Sequence, residues 1–132
     1  QCNSGLGYFL DSTTIIFDAI SYLARPLPLI DRSRSYPVQG SRDEHLRGTY
    51  NITLDGFNAL LRLQGGVCAI CHGQPHANSR GFHVDHIHGT KDIRGILCSS
   101  CNVALGYFKD NPLNLASAVW YLHKASRLEV AA

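Results

Sequence analysis

Four cysteines stand in two pairs, Cys68-x-x-Cys71 and Cys98-x-x-Cys101. The 26 residues between the pairs contain the run His83-Val84-Asp85-His86-Ile87-His88, and Asn102 directly follows the last cysteine. Two CxxC pairs supply four thiolates, a complete tetrahedral set for zinc that leaves no coordination position for water. That is the chemistry of a scaffold, not of a catalyst. The run between the pairs has a different character. A carboxylate with an amide oxygen suits a hard cation such as Mg²⁺, which keeps several waters of its own. A neutral imidazole near pH 7 is a suitable base for water. The pattern therefore reads as a zinc staple that holds a hydrolytic cluster in place.

The elements that must position these residues can be read from spacing and turn chemistry. Thr53 can cap a helix running to about Leu63, with Leu54, Phe57, Leu60 and Leu61 on one face. Gln64-Gly65-Gly66 stops it and leads into the first cysteine pair, where a tight knuckle is expected. Residues 82–85 and 93–98 are short strand candidates joined by a polar loop, 88–92. A helix is expected to begin at 99–101, to carry Asn102, Val103 and Leu105, and to end near Gly106. Pro112 suits the first turn of a last helix capped by Asp110 or Asn111, with Leu115, Val119 and Leu122 as its apolar face. Short strands among helices make the fold class α+β. In a regular strand Asp85 and His86 point to opposite faces, so they share a site only if the strand ends or bends there.

With 132 residues, 45% hydrophobic and 17% charged, the chain reads as one globular domain with an appendage. Its apolar stretch, residues 14–23, is too short to span a bilayer and contains Asp18. No secretory leader is legible at the start, so an intracellular protein with reduced cysteines is expected, not a secreted one. The net charge of +2 does not by itself argue for nucleic acid. Five arginines (Arg25, Arg32, Arg34, Arg42 and Arg47) nevertheless fall within 23 residues. Arg25-Pro26-Leu27-Pro28, Tyr36-Pro37 and Gly40-Ser41 make residues 25–50 read as an extended basic connector, either a solvated linker or a strip of phosphate contacts.

Residues 2–23 repeat residues 101–122 at a constant offset of 99, with ten of 22 positions identical, Cys2/Cys101 and Asn3/Asn102 among them. Residues 1–24 thus read as a partial repeat of the chain's own C-terminal helical segment. The chain is expected to be a fragment of a longer tandem protein or a degenerate duplicate. Cys2, the odd cysteine, is then the fourth ligand of a lost copy.

Taken together, Gln64-Gly65-Gly66-Val67-Cys68-Ala69-Ile70-Cys71, His83-Val84-Asp85-His86 and Arg94-Gly95-Ile96-Leu97-Cys98-Ser99-Ser100-Cys101-Asn102 resemble the phage recombination endonuclease VII family, part of the HNH or ββα-metal (His-Me finger) nucleases. The resemblance spans roughly residues 50–123, and residues 51–132 are read as the zinc-bound nuclease domain. It implies a structural zinc on Cys68, Cys71, Cys98 and Cys101, and a catalytic Mg²⁺ or Mn²⁺ on Asp85 and Asn102. It implies His86 as general base and His88 in support of the scissile phosphate. Arg94, His83 and Lys91 are candidate phosphate contacts. The implied substrate is DNA, duplex or branched, without a membrane partner. The implied assembly is a homodimer or a pairing of tandem copies.

Other readings compete with these. Asp85 can orient a neighbouring histidine or cap a turn, Asn102 can be a helix cap, and Arg94 can pair with a carboxylate. His72 and His76 read as loop residues. Tyr107, Phe108, Trp120 and Tyr121 read as core or dimer contacts. The whole chain can also be a sequence-specific restriction or homing nuclease, or a DNA-binding zinc module without catalysis.

Overall fold

A two-stranded antiparallel hairpin lies at the middle of the chain, in a computed structural model that describes residues 13–29 and 41–128. The described elements are α1 (Thr13–Ala24), α2 (Ser41–Tyr50), α3 (Leu54–Leu63), β1 (His83–His86), β2 (Ile93–Leu97), α4 (Ser99–Tyr107) and α5 (Pro112–Leu128). The fold is mixed α+β, with five helices among the described residues. No described helix is long and apolar enough to cross a membrane. The chain divides into two units, one of residues 26–99 and one of residues 1–25 with 100–132.

The first unit is built around the hairpin. Leu46, Ile52, Phe57, Leu60, Val84, Ile93 and Ile96 form its buried core, with Tyr50, Leu54, Leu61 and Phe82 packed against them. Each fully buried aliphatic or aromatic side chain contributes about 1.5–3 kcal/mol, which makes this cluster the main drive for folding the unit. The face expected for α3 is the face that packs here. Thr53 is its N-cap, and its Oγ1 accepts from the Gly56 amide at 3.0 Å. At the other end the Gly66 amide donates to the Leu61 carbonyl and the Gly65 amide to the Arg62 carbonyl. This Schellman arrangement needs a left-handed residue after the helix, and Gly65, with φ of 79°, supplies it without steric cost.

Residues 41–50 correct the expectation of an extended connector up to residue 50: they are helical. The reason is tertiary. Asp43, only 3% exposed, accepts from the Leu54 amide with one carboxylate oxygen at 2.7 Å and from Arg47 Nε with the other. One side chain therefore satisfies the first amide of α3 and braces its own helix across one turn. Leu46 is buried as the apolar anchor. Residues 26–29 carry no helix or strand, in keeping with Pro26 and Pro28.

A second long-range tie comes from Gln64. Its amide accepts from the Ile96 backbone N–H at 2.9 Å and donates to the carbonyls of Ile96 at 2.9 Å and Val67 at 3.2 Å. Gln64 thus acts as an extra rung beside β2 and fixes the chain leaving α3 against the hairpin.

In the other unit α1 packs against α5. The helices begin at Thr13 and Pro112, which are equivalent at the repeat offset of 99. Ile16 and Ala19 are buried, as are their equivalents Leu115 and Ala118. The repeat is therefore expressed as two helices burying the same face. Asn111 caps α5 through its Oδ1, which accepts from the Leu113 amide at 2.8 Å. Of the four aromatics expected as core or dimer contacts, Phe108 is buried in the core, whereas Tyr107, Trp120 and Tyr121 are 38%, 69% and 65% exposed. Trp120 and Tyr121 precede the polar end of α5, where Leu122 is also partly exposed. Cys2 and Asn3, and the N-terminal half of the repeat with them, lie outside the described residues.

Two outcomes are expected. Replacing Gln64 with Ala leaves the Ile96 N–H and the Val67 carbonyl without their partner, which costs about 2 kcal/mol in denaturant unfolding; a change below about 0.5 kcal/mol contradicts the role given to Gln64. Asp43 titrates below its ordinary 3.8 because the Leu54 amide, and then Arg47, stabilise the carboxylate. Its contribution is therefore complete above pH 3.8 and fades as pH falls through the lower folded value. Asp43→Asn is expected to lower Tm at neutral pH, with the gap to the parent closing in strong acid. A constant gap contradicts this assignment.

Candidate functional site

The four cysteines come together from three segments. Cys68 and Cys71 flank a tight turn in which the His72 amide donates to the Cys68 carbonyl and the Cys68 amide to the Gly73 carbonyl, both at 3.0 Å. His72 takes a left-handed φ of 56° to close it. The Ala69 amide donates to the Ile96 carbonyl at 3.2 Å, which ties the turn to β2. Cys98 follows the last residue of β2, and Cys101 lies in the first turn of α4. The four Sγ atoms lie within 4.8 Å of one another, and Cys71 Sγ and Cys98 Sγ are 3.8 Å apart. Sulfurs bound at about 2.3 Å to one tetrahedral centre are separated by about 3.8 Å, so the donor set fits zinc. All four are free thiols, with Cys71 half-buried and the others buried.

The hairpin departs from regular pairing where the chemistry is expected. His83, Val84 and Asp85 pair with Leu97, Ile96 and Gly95, but His86 pairs with Ile93. Arg94 is skipped in the register, a bulge on β2. Bulges bend the strand that carries them and re-aim the extra side chain, here that of Arg94, while Asp85 and His86 remain consecutive residues at the end of β1. The bulged Arg94 places its guanidinium on Asp85, with Nε donating to Oδ2 at 2.7 Å and Nη2 to Oδ1 at 2.8 Å. Asp85 is 5% exposed, and this two-pronged bond offsets the cost of burying its charge.

His86 is the last residue of β1 and is half-buried. Its ring meets the Tyr50 ring edge-on, with centroids 5.3 Å apart, and the His88 ring at 5.7 Å. Tyr50 in turn meets His45 at 5.9 Å. Four rings thus run in a row from α2 to the hairpin tip. The tip is tightened by Thr90, whose amide and hydroxyl both donate to the Ile87 carbonyl at 3.0 Å, and by Gly89 at φ of 82°.

Of the candidate phosphate contacts, Arg94 is on Asp85, and Lys91 donates from Nζ to the Gly48 carbonyl near the end of α2 at 3.0 Å. His83 lines a pocket with Arg42 and Arg80. Burial, and after it the two guanidiniums, hold its imidazole below the ordinary 6.5. Asn102 is half-buried in the first turn of α4, one residue past Cys101. Asp85, His86, His88 and Arg94 are therefore grouped at one end of the hairpin. Sequence reasoning missed Gln64, Tyr50 and His45. Gln64 and Tyr50 act across more than 30 residues, so nothing in their immediate sequence context signals the contact.

Comparison with known proteins places the chain in a family. Residues 43–124 match the family described as recombination endonuclease VII. The Gene 59 protein of Mycobacterium phage D29 is 35% identical over 68% of this chain and 54% of its own length. The Gene 59 protein of Mycobacterium phage L5 is 33% identical over 68% of this chain and 55% of its own. The chain thus spans about half the length of the curated relatives it matches. No solved structure matches it. A match over most of the chain that takes in both cysteine pairs, the bulged hairpin and Asn102 has one meaning: the chain belongs to the recombination endonuclease VII family of nucleases.

Proposed function

We propose that the chain is a divalent-metal-dependent DNA endonuclease of the HNH, ββα-metal (His-Me finger) type. The observations that support this reading are the family match, which takes in Asp85, His86 and Asn102, and the grouping of Asp85, His86 and His88 at one end of the hairpin. The unit that carries them also holds Cys68, Cys71 and Cys98. The four thiols are the ligands of a structural zinc, which fixes the ends of the hairpin and takes no part in the chemistry.

His86 accepts the proton of the attacking water on an unprotonated ring nitrogen. The water oxygen bonds to phosphorus and the bond to the 3′-oxygen breaks. That oxygen takes up a proton, which leaves a 5′-phosphate and a 3′-hydroxyl. His88, beside His86 and exposed, supports the phosphate. Asp85 and Asn102 would each offer an oxygen donor to Mg²⁺ or Mn²⁺, as the family resemblance implies, and a bound cation would supply positive charge to the phosphate. Arg94 already occupies both oxygens of Asp85, so a cation there shares the carboxylate with the guanidinium or displaces it. Branched DNA is the preferred substrate on the family's name, and pairing of two sites goes with it as a homodimer or tandem copies. A sequence-specific nuclease of the same fold predicts equal cutting of linear and branched DNA that carry one sequence.

His86→Ala is expected to lower single-turnover cleavage of plasmid or branched DNA in Mg²⁺ by at least ~100-fold while DNA binding persists. If parent and mutant both bind and neither cleaves in Mg²⁺ or Mn²⁺, the chain is a binding module and the enzyme reading fails. The parent is also expected to carry one zinc per chain by elemental analysis. Cys98→Ser is expected to lose the zinc together with the native circular dichroism spectrum. Full activity and an unchanged spectrum in that variant contradict the structural role.

A further inference from the structure

One pocket in the 26–99 unit is not used by the hydrolysis described above. It has a volume of about 280 Å³ and lies between α2, α3 and the start of β1. Arg42, His45, Arg80 and His83 contribute its polar groups; Tyr50, Phe57, Phe82, Leu46 and Val84 contribute rings and aliphatic surface. Among the described residues no carboxylate lines it. Of the two acids on α2, Asp43 is committed to Arg47 and the Leu54 amide, and Glu44 is exposed. Among the described residues neither Arg42 nor Arg80 is in an ion pair with a carboxylate. Arg42 instead stacks over the Phe57 ring, its Cζ 4.9 Å from the centroid. Two guanidiniums that converge on one pocket without a compensating acid favour an anion, and their planar forks match phosphate.

The rings narrow the ligand further. A site for phosphate alone gains nothing from apolar walls, whereas a base or sugar packs on aromatic faces. The volume is at the lower bound for small-molecule sites and suits one nucleotide unit. The pocket also shares a wall residue with the proposed catalytic end of the hairpin. Tyr50 forms part of its wall and touches the His86 ring. His83 precedes His86 by three residues of strand, a run of about 10 Å, comparable to three steps along one DNA strand.

We propose that this pocket is a substrate subsite for one nucleotide of the cleaved strand, with its phosphate at Arg42 and Arg80 and its base or sugar against Tyr50 and Phe82, within about three nucleotides of the hydrolysed bond. The proposal rests on the nuclease reading and extends it to residues outside the hydrolytic cluster.

The test compares parent, Arg42→Ala, Arg80→Ala, the double variant and Arg62→Ala. Arg62→Ala removes the same charge from an exposed position on α3 away from the pocket. Zinc content verifies that each is folded. The double variant is expected to lose ten- to a hundred-fold in kcat/KM on labelled DNA, mostly through KM. The slope of its log affinity against log salt is expected to fall by about 1. Arg62→Ala is expected to stay within twofold, and Lys at positions 42 and 80 to restore part of the loss. Equal losses in Arg62→Ala and the double variant, or none in either, overturn the subsite and leave the nuclease reading standing. Binding is measured in parallel in the His86→Ala background, so a parent that cleaves no DNA fails the nuclease reading while the binding arm still decides the pocket. Thymidine 5′-monophosphate is expected to displace labelled DNA at lower concentration than inorganic phosphate does. Equal potency overturns the nucleotide assignment.

Discussion

Four sulfurs within 4.8 Å of one another constrain this chain more tightly than any other feature. Cys68 and Cys71 lie in the loop after α3, Cys98 follows β2, and Cys101 lies in the first turn of α4. A two-stranded hairpin is marginal in water by itself. Here the hairpin gains its support from one apolar cluster and from the turn that carries Cys68 and Cys71, tied to Ile96 through Ala69 and Gln64. Thiolates this close repel one another unless a cation neutralises them, so the cluster suits a bound zinc.

The bulge at Arg94 is the second device. The skipped residue does not go to waste: its guanidinium holds the buried Asp85 carboxylate. Such a pair stabilises a charge that would otherwise be costly to bury, and it presets the carboxylate's orientation. On the other side of the strand end, His86 is packed edge-on against Tyr50, which limits its rotation. The His86 imidazole is thereby oriented by packing, and the Asp85 carboxylate by an ion pair.

What was legible in the sequence was local. The cysteine spacing announced the metal site, Thr53 and the Gly65-Gly66 pair bounded α3, and Pro112 with Asn111 marked the start of α5. Strand alternation required the strand to end or bend at Asp85 and His86; β1 ends at His86, and the irregularity of the pairing lies on β2 at Arg94. What was not legible depended on contacts made far along the chain. Residues 41–50 are mostly polar and look like linker. They are helical because Asp43 reaches Leu54 and Leu46 reaches the core. Arg94 read equally well as a phosphate contact or an ion-pair partner, and only the register shift shows it beside Asp85. The repeat was visible as identity at a fixed offset, and its helical part appears as the pairing of α1 with α5.

The central claim is that a closed thiolate site, chemically idle, holds the hairpin in the form that can hydrolyse DNA. Hydrogen exchange at the Asp85, His86 and Ile96 amides reports on it directly, followed with DNA cleavage in Mg²⁺ as zinc is chelated and restored. The expected result is that protection and cleavage disappear together on chelation and return together at one equivalent of zinc. Cleavage that persists in Mg²⁺ after the zinc and the hairpin's protection are gone would contradict it.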